Sequence, residues 1–422
     1  MLIRNAWTAG MRVDLRAAGG RITEVRARTV GADVDSGAPL LPLPGEAVLE
    51  GGLVCPPLAE PHVHLDAALL GPRAPNVSGT LIEGIRNWAQ LRDELDADDV
   101  VDRASRTLAL YALHGCLRVR THVDTGSRLA AEALLSLRES ARAGLPGLRG
   151  VCPDSGRVQP VPVEVQVVAF PQEGILRRPG QRAAWEDVVR LGCDAVGAIP
   201  HLERTAEEGW ASLRLALDLA LSVGAAVDVH CDETDDPGSR HLEVLCAAAI
   251  DRQMGARVVA GHCTSLHSQP NAYAQKVVAL CAEAGLQIVT NPLDNIVLQG
   301  RYDGYPKVRG LTRVDAFWAA GVPVGIGHDS VMDPWYRLGT ANLLDPAWML
   351  VHAGHLFAED ELTRAFLTLS RENHRPFGGA PRLLPGEPAN FCWFPADDPI
   401  EALRLRPRPR VFVGGCEVVA AP

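Results

Sequence analysis

The run Gly52-Leu53-Val54-Cys55-Pro56-Pro57-Leu58-Ala59-Glu60-Pro61-His62-Val63-His64-Leu65-Asp66 is apolar for most of its length and closes on two histidines. On a β-strand, residues i and i+2 share a face, so His62 and His64 project together from the strand end. Two imidazoles turned inward are costly to desolvate unless something binds them. A metal ion does so directly, through neutral ring nitrogen. The pair therefore points to a metal centre at the end of a buried strand.

Seven further apolar runs follow Leu53 to Leu65. They are Leu117 to Asp124, Val163 to Gln172, Ala195 to His201, Ala226 to Glu233, Val258 to Ser265, Gln287 to Pro292 and Val322 to Ser330. Amphipathic stretches lie between them, including Asp98 to His114, Ala184 to Leu191, Ala206 to Val223 and His241 to Met254. Strands alternating with helices of crossover length indicate βαβ units and a parallel sheet. This count predicts an α/β fold, a TIM-like (β/α)₈ barrel, over residues 57–382. Segments 1–56 and 383–422 carry short strand patterns near Arg12 to Leu15, Arg21 to Val25, Ala389 to Phe394 and Val411 to Val419. They are expected to combine into a small β-sandwich. The Gly- and Pro-rich stretch Leu145 to Pro162 reads as a surface loop.

In such a barrel the chemistry sits where strands end and βα loops begin. His62, His64, His122, Gln166, His201, His230, Glu233, His262 and Asp329 all fall toward the ends of apolar runs. His62, His64, His230 and Asp329 supply an N₃O ligand set for one divalent ion, with a position left for water, as catalytic rather than structural sites require. Glu233, three residues beyond His230, is placed to shuttle a proton between that water and a ring nitrogen of a substrate. His262 is either a further ligand or the donor that orients the water. Asp329 follows Gly325-Ile326-Gly327-His328, where glycine permits close approach.

The 422 residues include 47% hydrophobic and 22% charged side chains, an ordinary globular composition, with a formal net charge of −10. That charge argues against a nucleic-acid partner, which needs a concentrated basic face. No stretch is apolar enough to span a membrane and no leader pattern opens the chain, so a cytoplasmic protein is expected. The 10 cysteines show no CxxC pair and are expected to be free thiols, Cys231 and Cys263 among them as core fillers.

Several stretches together resemble the bacterial cytosine deaminases of the amidohydrolase superfamily. These are Glu60-Pro61-His62-Val63-His64-Leu65-Asp66, Gly79-Thr80-Leu81-Ile82-Glu83-Gly84, Val168-Ala169-Phe170-Pro171-Gln172-Glu173-Gly174, Val229-His230-Cys231-Asp232-Glu233 and Gly327-His328-Asp329. Asn291-Pro292, Gly300-Arg301 and Asp333-Pro334-Trp335-Tyr336 extend the likeness over nearly the whole chain. The resemblance implies one Fe(II) or Zn(II) ion per chain on His62, His64, His230 and Asp329, and Glu233 as the group that protonates pyrimidine N3. By the same resemblance His262 orients the attacking oxygen, Gln166 hydrogen-bonds the amide edge of a nucleobase, and Leu81 lies against the ring. It further implies a homo-oligomer acting on a free base. Trp335, just past the eighth run, is placed to cover that ring. His122 and Asp124 are assigned to supporting roles, as are Arg118, Arg120 and His328. Dinuclear relatives bridge two ions with a lysine on the fourth strand, whereas the chain's lysines, Lys276 and Lys307, lie outside the strands.

Ser330 departs from the pattern, because typical cytosine deaminases carry a second aspartate there. A smaller, uncharged side chain enlarges that side of the pocket, which leads us to expect deamination of cytosine, 5-methylcytosine or both. Other N-heterocycles, such as isoguanine, creatinine or an N-alkylated hydroxytriazine, are the alternative, and cyclic amide hydrolysis a more distant one.

Overall fold

The computed structural model describes residues 1–28 and 38–421. An eight-stranded all-parallel sheet forms the larger body, its strands in sequential order. They are Leu58–Val63, Cys116–Asp124, Glu164–Phe170, Ala195–Ala198, Ala226–Cys231, Val258–His262, Gln287–Thr290 and Val324–Ile326. The sheet closes on itself: Asp329 N donates to His62 O at 2.9 Å and His64 N to Asp329 O at 3.1 Å, and Val63 bridges Asp329 in parallel. The same contact that shuts the barrel thus fixes His62, His64 and Asp329 side by side. The (β/α)₈ expectation is met.

Helices cover the strands as expected for a parallel sheet buried on both faces. Ala97–Leu113, Gln181–Arg190, Ala206–Val223 and His241–Asp251 match the periodic stretches. Thr205 caps the third of these, its side chain accepting from Glu208 N, and Gly224 ends it with φ 73°.

The chain ends meet in a separate mixed sheet. It contains Leu2–Thr8, Met11–Ala18, Arg21–Arg28, Leu53–Cys55, Phe391–Phe394, Arg410–Val413 and Cys416–Ala420. Ile3, Ala6, Leu15, Ile22, Val54, Phe391 and Phe412 form the apolar face of this sheet. Two expectations are corrected here. The stretch from Leu145 to Pro162 is not simply a loop, because Leu148–Val151 and Val158–Gln159 form a hairpin that pairs with Cys416–Ala420. That pairing sets Glu417 opposite Val151, so Cys152 meets Cys416 and the two form a disulfide across 264 residues of sequence. The remaining eight cysteines, Cys231 and Cys263 included, are free and buried.

No helix among the described residues is long and apolar enough to cross a membrane.

Candidate active site

Inward-facing side chains at the carboxyl ends of the barrel strands converge on one point. His62 Nε2 and His64 Nε2 each lie 3.5 Å from Asp329 Oδ1, and His64 Nε2 lies 3.1 Å from His230 Nε2. Donors bonded at roughly 2.0–2.2 Å to one ion are separated by roughly 3 to 3.5 Å, so the spacing is that of a coordination shell. Two further observations fit a cation. Both ring nitrogens of His62 are buried without a hydrogen-bond partner, and burial holds the imidazoles of His64 (to about 3), His230 and His262 well below their usual pKa. Each of these three rings is therefore neutral, the form that ligates metal. Burial alone would raise the Asp329 carboxyl, but its neighbouring imidazoles, His62 foremost, hold it well below the usual carboxylate range. The His/Asp cluster is able to bind a metal ion.

The backbone is bent to aim these groups. His262 (φ 64°) and Asp329 (φ 67°) both adopt the left-handed conformation that non-glycine residues avoid. Strain of this kind, about 1–3 kcal/mol per residue, concentrates at functional sites. Gly327 is required for close packing, since a Cβ there would lie 3.0 Å from His62 Cβ and overlap Asn291. The ring of His230 stacks on Phe170 with centroids 3.9 Å apart.

A cavity opens beside the cluster, lined by His64, His230, Glu233, His262, Asp329 and Ser330 together with Leu81, Gln172, Asp294, Leu298 and Trp335. Glu233 is buried, with its Oε1 3.5 Å from His262 Nδ1. Burial, reinforced by the charge of Asp329, pushes its carboxyl well above the usual range. Asn295 Nδ2 lies 3.0 Å from the same nitrogen, His262 Nδ1. Trp335 packs over helix Leu81–Leu91 at Gly84, where a Cβ would stand 2.5 Å from the indole.

Of the site residues read from sequence, His62, His64, His230, Glu233, His262, Asp329, Leu81, Ser330 and Trp335 come together here. Gln166 does not. It lies near the start of the third strand, four residues before Phe170, where its Oε1 accepts from Arg120 (2.9 and 2.7 Å) and its Nε2 donates to Pro376 O. Gln172, beyond the strand's carboxyl end, lines the cavity instead. His122 and Arg120 flank the buried Asp228, at 3.2 and 2.9 Å, beneath the cluster. Asp124 accepts from Trp88 Nε1 and Arg92. His201 lines a larger outer chamber that shares Leu81, Glu233 and Leu298 with the inner cavity. Asp232 is buried and accepts from Ser239, His241 and Leu242 at the start of helix His241–Asp251. Asp294 and Leu298 were missed altogether, as both sit on helix Pro292–Leu298 rather than on a strand. The only sequence signal near them is the helix-opening Asn291-Pro292.

Comparison with known proteins agrees with this geometry. The sequence profile of the amidohydrolase family matches residues 76–408. A solved 5-methylcytosine deaminase from Klebsiella pneumoniae, liganded with 5-fluorocytosine, is 35% identical and superposes with a TM-score of 0.85 over 100% of this chain and 98% of its own. The N-isopropylammelide isopropylaminohydrolase of Burkholderia multivorans is 26% identical, with a TM-score of 0.76 over 99% and 97%. Pterin deaminase of Rhizobium rhizogenes is 28% identical over 83% of this chain and 77% of its own. A closed parallel barrel, a buried His/Asp cluster at its carboxyl end and a family match over most of the sequence lead to one conclusion: the chain is a metal-dependent hydrolase that belongs to the amidohydrolase family.

Proposed function

We propose that the enzyme hydrolytically deaminates a free pyrimidine base, taking cytosine or 5-methylcytosine to uracil or thymine with release of ammonia. The observation that carries this reading is the placement of Glu233 across from Asp329, with Ser330 at the same cavity.

His62, His64, His230 and Asp329 would hold one divalent ion, zinc or iron, which when bound lowers the pKa of water to ~7. Asp329 accepts a proton from the attacking water. His262, steadied by Asn295, orients that water toward the amidine carbon. Glu233, held in its acid form by burial, delivers its proton to ring N3 and so makes the amidine carbon more electrophilic. The proton that Asp329 took from the water passes to the exocyclic nitrogen, which leaves as ammonia, while the Glu233 carboxylate takes back the hydroxyl proton of the adduct. Gln172 is the amide positioned to pair with the ring's own amide edge, the role assigned from sequence to Gln166. Leu81 and Trp335 sandwich the ring. Trp335 is largely buried and brings its indole to 6.0 Å from the His64 ring.

Ser330 favours a substituent on C5, since a pocket discriminates one methylene by about 1–3 kcal/mol. The Klebsiella relative named for 5-methylcytosine supports the same choice. Ammonia release from cytosine and 5-methylcytosine by metal-reconstituted enzyme tests the proposal, and silence on both bases refutes it. The outer chamber and the pterin deaminase relative favour a bicyclic heterocycle as the second reading. Pterin in the same assay separates the two.

A further inference from the structure

The aspartate absent at position 330 has a counterpart elsewhere in the cavity. Asp294, on the short helix after the seventh barrel strand, lines the cavity beside Ser330 and Asp329. It is only 1% exposed; Ser330 and Asp329 lie within hydrogen-bonding reach of its carboxyl, but its Oδ1 has no partner among the described residues. Neighbouring Asp333 accepts from the backbone N–H groups of Trp335 and Tyr336 at 2.9 Å through Oδ1, while its Oδ2, like Asp294 Oδ1, has no partner among the described residues. A buried acceptor without a donor is costly, and natural sites keep one where a ligand supplies the partner.

The order of residues around the barrel says which part of a ring it meets. Gln172 follows the third strand and Glu233 the fifth, so N3 and the amide edge face that side. Asp294 follows the seventh strand and Ser330 the eighth, so they face the opposite edge, the carbon next to the amidine carbon. A methyl group there offers Asp294 Oδ1 no donor. A hydroxymethyl group supplies that donor. A hydroxyl both donates and accepts, so it suits this carboxyl whether or not the carboxyl carries a proton.

Building on the pyrimidine deaminase reading, we infer that Asp294 is a specificity residue that binds a hydroxyl-bearing substituent at C5, so that 5-hydroxymethylcytosine is preferred to 5-methylcytosine. The test compares kcat/KM for these two bases in the metal-loaded wild type, Asp294→Val and Asp294→Asn. It is paired with calorimetric binding of the corresponding products, 5-hydroxymethyluracil and thymine. The wild type is expected to favour the hydroxymethyl compound roughly tenfold or more. Asp294→Asn, which keeps an acceptor, should retain the preference, and Asp294→Val should lose or invert it. A wild type without the preference, or an Asp294→Val variant that keeps it, overturns the inference. If Asp294→Val does not fold, the wild-type ratio and Asp294→Ala decide. If neither base releases ammonia, the deaminase reading fails while the product-binding ratio still decides the role of Asp294; failure of both products to bind overturns it as well.

Discussion

His64 and His230 bring their Nε2 atoms to 3.1 Å although 166 residues separate them in sequence. Burial keeps both rings neutral, so neither carries a charge that would drive them apart. Their approach is the geometry of two ligands sharing an ion. His230→Ala is therefore expected to abolish stoichiometric metal binding, measured by elemental analysis, while circular dichroism stays that of the wild type.

Removal of the ion with a chelator should lower thermal stability as well as activity. A ligand held at a hundred times its Kd stabilises the folded state by about 2.7 kcal/mol. Differential scanning calorimetry of stripped and reloaded protein reads this directly, and equal melting temperatures would contradict a tightly held ion.

Glu233→Gln keeps the shape of the side chain and removes its acidic proton. With Glu233 as the proton donor, kcat should fall roughly 10²- to 10⁴-fold with metal content unchanged. A variant within twofold of wild type would assign the proton transfer elsewhere.

Gly84 lies against Trp335 with no room for a methyl group, a Cβ falling 2.5 Å from Nε1. Gly84→Ala should displace the indole from the cavity. The expected result is a several-fold rise in KM with a smaller change in kcat, and a loss of stability of about 1–3 kcal/mol from overpacking.

Much of this was legible in the sequence because barrel strands buried on both faces read as continuous apolar runs whose ends can be counted. Helix Ala206–Val223 was delimited to the residue, since Thr205 and Gly224 mark its ends by local chemistry alone. What failed depended on contacts distant in sequence. Cys152 and Cys416 give no sign of each other until the hairpin at Leu148–Val151 joins the C-terminal strand. Gln166 and Gln172 have the same parity on one apolar run, so periodicity could not tell which reaches the strand's end; only the strand's stop at Phe170 does. Asp294 was invisible for another reason. Its place at the cavity comes from the packing of helix Pro292–Leu298 against the strand ends, a property of segments distant in sequence.

Replacing Ser330 by aspartate should restore the narrower pocket. The ratio of kcat/KM for 5-methylcytosine over cytosine is expected to fall roughly 10- to 200-fold in Ser330→Asp. An unchanged ratio would place the C5 side of the ring away from residue 330.

The most direct test of the central claim is ammonia release by the wild-type enzyme, reconstituted with zinc or iron(II), from 5-methylcytosine and cytosine in parallel. A metal-dependent pyrimidine deaminase with serine at position 330 should release ammonia from 5-methylcytosine at least as efficiently as from cytosine, and lose that activity on chelation. A fully metal-loaded protein that releases none from either base would contradict it.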